Sequence, residues 1–302
     1  MSKPYLIIAG SEKCGTTSLF QYLADSGYFI ISKQKETDYF RREGSLNQND
    51  YLKSFGKVHF SSKVYMEASP GYLSDSHISA ANISNTLDDY HLVFCLRNPV
   101  DRLISSFLFH KSRLYIPKEM SFELYFQECL KFEKGESYDE RLNEWCLRVP
   151  DCGKYWKHLQ DFTKHISIDK ISVFSFDEFI VQPKLVVSEI LYKHRLGSSF
   201  YDNYDFKKSN ATFSHNNDLV QQLALKLNKL LQNFWVKKPY LKKNLLNIYK
   251  KINSKDKEKI EVSPKFKKML YDYYFDDLEQ LKKTNFINEG IILNWISSIE
   301  NA

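Results

Sequence analysis

Residues 5–23 read YLIIAGSEKCGTTSLFQYL, and this stretch constrains the fold more than any other. Tyr5 to Ala9 form a short, uninterrupted apolar run, the pattern of a strand covered on both faces in a parallel sheet. Gly10 and Gly15 follow with the spacing of G-x-x-x-x-G-K-[ST], and a helix is expected from Thr16 to Asp25, closing near Gly27. A strand, a tight glycine turn and a helix N-terminus aim backbone N–H groups and the positive end of the helix dipole at one point, which suits an anionic oxygen cluster. In a nucleotide triphosphatase the residue after the second glycine is a lysine that reaches the β/γ-phosphates, and the next hydroxyl holds Mg²⁺. Here that position is Thr16, followed by Thr17 and Ser18, and the only lysine, Lys13, lies inside the loop. The loop therefore predicts a shorter anion and no metal. The plainer alternative is an ordinary strand–helix connection.

The rest of the chain repeats the alternation. Strands are expected at 63–66, 91–96 and 171–175. Helices are expected at 99–112 with Pro99 as first residue, at 119–134, at 153–165 and after Pro183. Strands alternating with helices predict an α/β, P-loop-like three-layer fold, with a mostly parallel central sheet flanked by helices. After about residue 216 the pattern reads as wholly helical, with apolar positions at Leu219, Leu223, Leu227, Leu230 and Leu231. The expected organisation is one domain over 1–302, with a core at 1–215 and a helical C-terminal extension at 216–302.

A second cluster of chemistry follows the 91–96 strand, in the run Leu96-Arg97-Asn98-Pro99-Val100-Asp101-Arg102-Leu103-Ile104-Ser105. Arg97 falls at a strand's C-terminal end, where open α/β sheets bind ligands. A guanidinium fork and the hydroxyl of Ser105, eight residues on, suit a second phosphate group. The competing reading is a local Arg97–Asp101 ion pair with Ser105 as ordinary helix surface.

Taken together, these two elements resemble the sulfotransferases that use 3′-phosphoadenosine 5′-phosphosulfate (PAPS). Gly10 to Leu19 resembles their 5′-phosphosulfate loop, and Arg97 to Ser105 their 3′-phosphate element. Lys35-Glu36-Thr37-Asp38-Tyr39-Phe40 is similar to a segment of the heparan-sulfate, glycan-modifying branch. Glu67-Ala68-Ser69-Pro70-Gly71-Tyr72 resembles its E-x-[ST]-P-x-Y segment. Gly153-Lys154-Tyr155 and Val173 to Glu178 resemble later motifs. The likeness spans about residues 5–195.

That resemblance implies roles. Lys13 offsets charge on the bridging oxygen as the product, 3′-phosphoadenosine 5′-phosphate (PAP), departs. Cys14, Gly15, Thr16, Thr17 and Ser18 hold the 5′-phosphate; Arg97 and Ser105 hold the 3′-phosphate; Lys208 and Asn210 add contacts from a loop over the nucleotide. Glu36 is the expected general base, helped by partial burial, and Lys35 next to it either orients or opposes it. Glu67, Asp38 and Tyr155 are candidates for the acceptor side, Glu67 also as an alternative base; for Tyr155, as for Trp145 and Trp156, packing in the core is the reading preferred over stacking on a sugar ring. Several relatives carry His where this chain has Asp38, and Lys where it has Ala68. The implied acceptor is a hydroxyl on a carbohydrate or glycan precursor. The alternatives are a small hydroxylated metabolite or lipid, and a non-catalytic nucleotide-binding protein. Thr16 argues against an ATP-dependent kinase.

Charge and cysteines narrow the partners. The net charge is +6, yet residues 201–270 hold 16 Lys, no Arg and 6 Asp plus Glu, so the excess is concentrated there. Such a stretch is either solvated surface or a face for an anionic partner, an acidic acceptor or a membrane surface; no nucleic-acid module is apparent. Five cysteines without C-x-x-C spacing and without a secretory signal predict reduced thiols and a cytoplasmic protein. No apolar run approaches the length of a membrane span, and histidine spacing suggests no zinc site. Oligomeric state is left open by the sequence.

Overall fold

The computed structural model describes residues 4–56, 63–207, 214–215, 217–231, 241, 244–246, 249, 253–255, 260 and 262–301. Within them the chain forms two compact units. The first comprises described residues of 1–102, 151–210 and 263–302, and the second those of 103–150 and 211–262.

In the first unit the strands are β1 (Tyr5–Gly10), β2 (Phe29–Ile31), β3 (Val64–Ala68), β4 (Tyr90–Leu96) and β5 (Ile171–Ser175). They form one sheet in the order β2-β3-β1-β4-β5, and each neighbouring pair is parallel. This is the expected α/β sheet. Every residue of β1, β3 and β4 is buried, which is why these strands read as continuous apolar runs rather than alternating ones. The three-residue edge strand β2 carried too little pattern to be expected from sequence. The helix Thr16–Asp25 starts at the residue anticipated and buries Leu19, Phe20 and Leu23 along one stripe. Because β1 is central, the chain departs to β2 on one side and later to β4 on the other, so the order reverses beside the β1 loop. That crevice, outside the carboxyl ends of the strands, is where open α/β sheets bind ligands.

The helices Pro264–Lys282 and Glu289–Asn301 belong to this first unit by their contacts, so the interleaving departs from a boundary drawn at 215/216. Asp277 accepts from the N–H groups of Trp156 (3.0 Å) and Lys157 (2.9 Å), capping the helix Tyr155–His165. Trp295 Nε1 donates to Asp177 just after β5 at 2.7 Å, and Asn98 Nδ2 donates to Ser298 Oγ at 2.8 Å.

The second unit contains the helices Phe122–Glu133 and Asp218–Leu230. One departure from a wholly helical reading is a short antiparallel pairing of Ser214–His215 with Ser254–Lys255. Leu223, Leu227 and Leu230 are exposed in the structure. Much of the Lys-rich stretch lies outside the described residues.

A pair of histidines, His91 buried and His194 partly buried, joins β4 to the end of the helix Pro183–Lys193. His91 Nδ1 lies 3.3 Å from His194 Nε2, and His91 Nε2 lies 3.0 Å from Ser172 Oγ. Burial pushes His91 down to about 3 and His194 down to about 4. Both rings stay neutral when folded but protonate near 6.5 when unfolded. Their contribution is therefore complete above that value and is lost as pH falls towards 4 and 3, with a slope of up to about 1.4 kcal/mol per pH unit for each ring. His194→Gln is expected to flatten the decline in unfolding free energy between pH 6 and 4, measured by denaturant titration at each pH. An unchanged slope would show that the pair does not control acid stability.

Candidate active site

The carboxyl ends of all five strands of the first unit converge on one rim. The β1 loop is held first. Ser11 N donates to Cys95 O at 2.9 Å, and Gly10 packs so closely on Leu73 that a Cβ would come within 2.6 Å of its Cβ. Gly15 adopts φ 81 and precedes the helix; a Cβ there would also press on the rings of Phe176 and Phe179 at 3.0 Å. Glycine is thus demanded twice over, by conformation and by space. The N-cap, Gly15, supplies no side-chain hydrogen bond to this helix, so its N-terminal turn suits an external anionic acceptor. Lys13 has φ 66, a left-handed conformation that costs a non-glycine residue about 1 kcal/mol or more. The turn holds its one lysine in a strained place beside the helix N-terminus.

The Cys14 thiol turns inward and donates to Glu12 O within the loop at 3.5 Å. The side chain is fully buried, and burial pushes the thiol up to about 11, so it is unreactive at neutral pH. Thr17 presents its hydroxyl to a neighbour. Lys35 Nζ donates to Thr17 Oγ1 at 3.1 Å and lies 2.9 Å from Glu36 Oε1. Lys35 therefore links the loop to the carboxylate expected to act as base, and the question of whether it orients or opposes Glu36 is answered by an ion pair. The Lys35 side chain is 22% exposed and that of Glu36 51%, so Glu36 remains half open to a substrate.

The segment carrying Glu36 is tied down from β3. Ala68 N donates to Lys35 O at 2.9 Å. Glu67, fully buried, accepts from Thr37 N (3.3 Å), Thr37 Oγ1 (3.0 Å), Ser69 Oγ (2.5 Å), Tyr72 OH (2.7 Å) and Tyr51 OH (3.1 Å). Burial raises its pKa, and the hydrogen bonds oppose that rise. A carboxylate spent on five donors and sealed from solvent has no free face for an acceptor. The expectation that Glu67 binds substrate gives way to a structural tie. Asp38 is different. It has φ 47, its N–H donates to Ser69 Oγ at 3.0 Å, and its partly exposed carboxylate lies 3.3 Å from Arg41 Nη1.

At β4 the Arg97 side chain lies over the Phe176 ring, with Cζ 5.1 Å from its centroid, and 3.4 Å from Asp101. The local ion pair considered from sequence is present, but long. Tyr155 is fully buried, donates its hydroxyl to Arg97 O at 2.7 Å and accepts from Arg97 N at 3.4 Å. It is therefore a core residue, the preferred of the two readings, and braces the turn that carries Arg97. Asn98 Oδ1 caps the next helix by accepting from Val100 N and Asp101 N. Ser105 stands half-buried on that helix, Pro99–Ser112, and groups with the second unit. Lys208 and Asn210 lie outside the described residues. Sequence reasoning missed the part played by Tyr51, Thr37, Ser69 and Tyr72. The last three stood inside the quoted motifs, whereas Tyr51 carried no signal. Among the described residues no cluster of three His, Cys, Asp or Glu could hold a metal, and no helix is long and apolar enough to cross a membrane.

A central β1 followed by a glycine turn, with Arg97 just past the end of the neighbouring β4, defines an α/β protein of the P-loop-like class. The chain belongs to the sulfotransferase domain family, whose model matches residues 3–299. It is 27% identical over 201 residues to the bifunctional heparan sulfate N-deacetylase/N-sulfotransferase 1 of Caenorhabditis briggsae, covering 63% of this chain and 22% of that protein. It is 31% identical over 126 residues to the membrane-associated sulfotransferase kil1 of Dictyostelium discoideum, covering 40% of this chain and 26% of that one. The chain thus spans about a quarter or less of the length of these relatives. The sulfotransferase structure from Alicyclobacillus acidocaldarius superposes with a TM-score of 0.54 at 21% identity, covering 78% of this chain and 95% of that one, and shares the fold.

Proposed function

We propose that this chain transfers the sulfuryl group of PAPS to an acceptor hydroxyl, that the acceptor is a carbohydrate, and that Glu36 is the general base. The observation that carries the reading is the continuous chain of contacts from Thr17 in the anion loop through Lys35 to the half-exposed carboxylate of Glu36. It sets a basic group beside an anion cradle. The cradle fits a phosphate: it offers first-turn N–H groups, the hydroxyls of Thr16, Thr17 and Ser18, and the ammonium of Lys13. PAPS supplies a sulfuryl group already activated on a phosphate leaving group.

The residues then divide the work. Lys13 offsets the charge that develops on the leaving phosphate, as a mobile point charge can. Arg97, braced by Tyr155, and Ser105 on the following helix serve the 3′-phosphate. Glu36 accepts the proton of the acceptor hydroxyl. Asp38 lies on the acceptor side, and Lys208 and Asn210 complete the nucleotide contacts. The carbohydrate acceptor is supported by the Lys35–Phe40 segment and by relatives whose name includes heparan sulfate. A cytoplasmic setting is supported by five free cysteines.

The test is nucleotide selectivity by isothermal titration. PAP is expected to bind about tenfold to a hundredfold more tightly than ADP, which lacks the 3′-phosphate that a guanidinium would hold. Equal affinity for PAP, ADP and ATP would remove the basis of the proposal.

A further inference from the structure

The Lys35 ammonium occupies a shared position. It lies within hydrogen-bond distance of Thr17 Oγ1 in the anion loop (3.1 Å) and of Glu36 Oε1 (2.9 Å). Its main chain cannot drift, because Ala68 N holds Lys35 O and Glu67 holds Thr37 two residues on. Its side chain is mostly enclosed, whereas its carboxylate partner is half exposed. An ammonium has three donors on a flexible stem and follows the strongest local negative charge. A 5′-phosphate on the first turn of the helix would place new anionic oxygens beside Thr17, whose hydroxyl the Lys35 ammonium already reaches.

We propose that Lys35 couples donor binding to base availability. With the loop empty, Nζ pairs with Glu36 and occupies the carboxylate. With a nucleotide phosphate in the loop, Nζ shifts its hydrogen bonds towards the phosphate, and Glu36 is released to accept the acceptor's proton. No bond is made or broken in this step; one ion pair is exchanged for another. The idea rests on the reading of the loop as a PAPS site. It adds that an enzyme without donor holds its base in reserve, so that an acceptor arriving first meets a neutralised carboxylate.

The exchange has a thermodynamic sign. If Glu36 and the nucleotide compete for one ammonium, each weakens the other's hold on it, and the coupling is reciprocal. Removing the Glu36 charge should therefore tighten PAP, and only while Lys35 is present. A double-mutant cycle isolates that term. By isothermal titration with PAP, Glu36→Gln is expected to tighten binding about fivefold, and Lys35→Met to weaken it about tenfold. In the Lys35→Met background, Glu36→Gln is expected to change PAP affinity less than about twofold. Thermal melts accompany each variant, and Lys35→Gln takes the place of Lys35→Met in the cycle if the latter does not fold.

The outcomes separate. If the wild-type chain does not bind PAP, the sulfotransferase reading itself fails. If PAP binds and the two substitutions are additive, or Glu36→Gln weakens PAP, the coupling is wrong while the sulfotransferase reading stands. A fivefold gain that disappears without Lys35 supports the coupling.

Discussion

Glu36→Gln is expected to lower kcat for sulfuryl transfer by at least about 100-fold, the lower end of what a positioned general base contributes. Glutamine preserves the size and the reach of the side chain but cannot take a proton from a hydroxyl. PAP binding should survive, because Thr16, Thr17, Lys13 and Arg97 are untouched. Single-turnover assays with labelled PAPS and a glycan panel measure the first effect, and titration with PAP the second. Near-normal turnover in the Glu36→Gln variant would place the base elsewhere. Glu67, the other carboxylate considered, is a poor substitute. It is fully buried and accepts five hydrogen bonds.

Glu67→Ala is expected to cost about 3–5 kcal/mol of stability, because it strands several buried donors at once. Thr37 Oγ1, Ser69 Oγ, Tyr72 OH and Tyr51 OH would each lose their acceptor; Thr37 N keeps Ser69 Oγ at 2.9 Å, and the Thr37 Oγ1···Tyr72 OH contact at 3.0 Å and entering water recover part of the loss. Activity should fall as well, since Thr37 sits between Glu36 and Asp38 and its anchoring sets where both side chains stand. Glu67→Gln is expected to be milder. Burial raises the Glu67 pKa, so folding penalises the ionised carboxyl with a desolvation cost that an amide avoids. The amide nitrogen, however, meets a hydroxyl or N–H that donates, so some loss remains. Chemical denaturation of the three proteins ranks them. An alanine variant as stable as wild type would mean that the tie is ornamental.

Much of the frame was legible before the structure. β1, β4 and the helices Thr16–Asp25 and Pro99–Ser112 are apolar runs or stripes with a glycine or proline near one end, and β5 is a short run of Ile, Val and Phe interspersed with serines. Each announces itself within its own window. The short β2 did not, because three residues leave no period to detect. Nor did the first unit's third segment, since membership of the helices Pro264–Lys282 and Glu289–Asn301 depends on contacts such as Trp295 to Asp177 across more than a hundred residues. Tyr155 admits two readings from sequence, stacking on a sugar ring or packing in the core, and its full burial decides for the core. Its burial arises from packing that no local pattern encodes.

The sequence by itself determined that β1 ends in a glycine turn with its lysine at position 13, and that Arg97 follows a strand of the sheet. Those are properties of local spacing, written in glycines, apolar runs and a proline. Only the tertiary structure decided that Lys35 reaches Thr17 and Glu36 together, and that Glu67 is a buried tie rather than a base. Both facts depend on the parallel register that sets β2, β3 and β1 side by side. Residues 17, 36 and 67 become neighbours through that register, while their own segments encode only which face of a strand or helix is apolar.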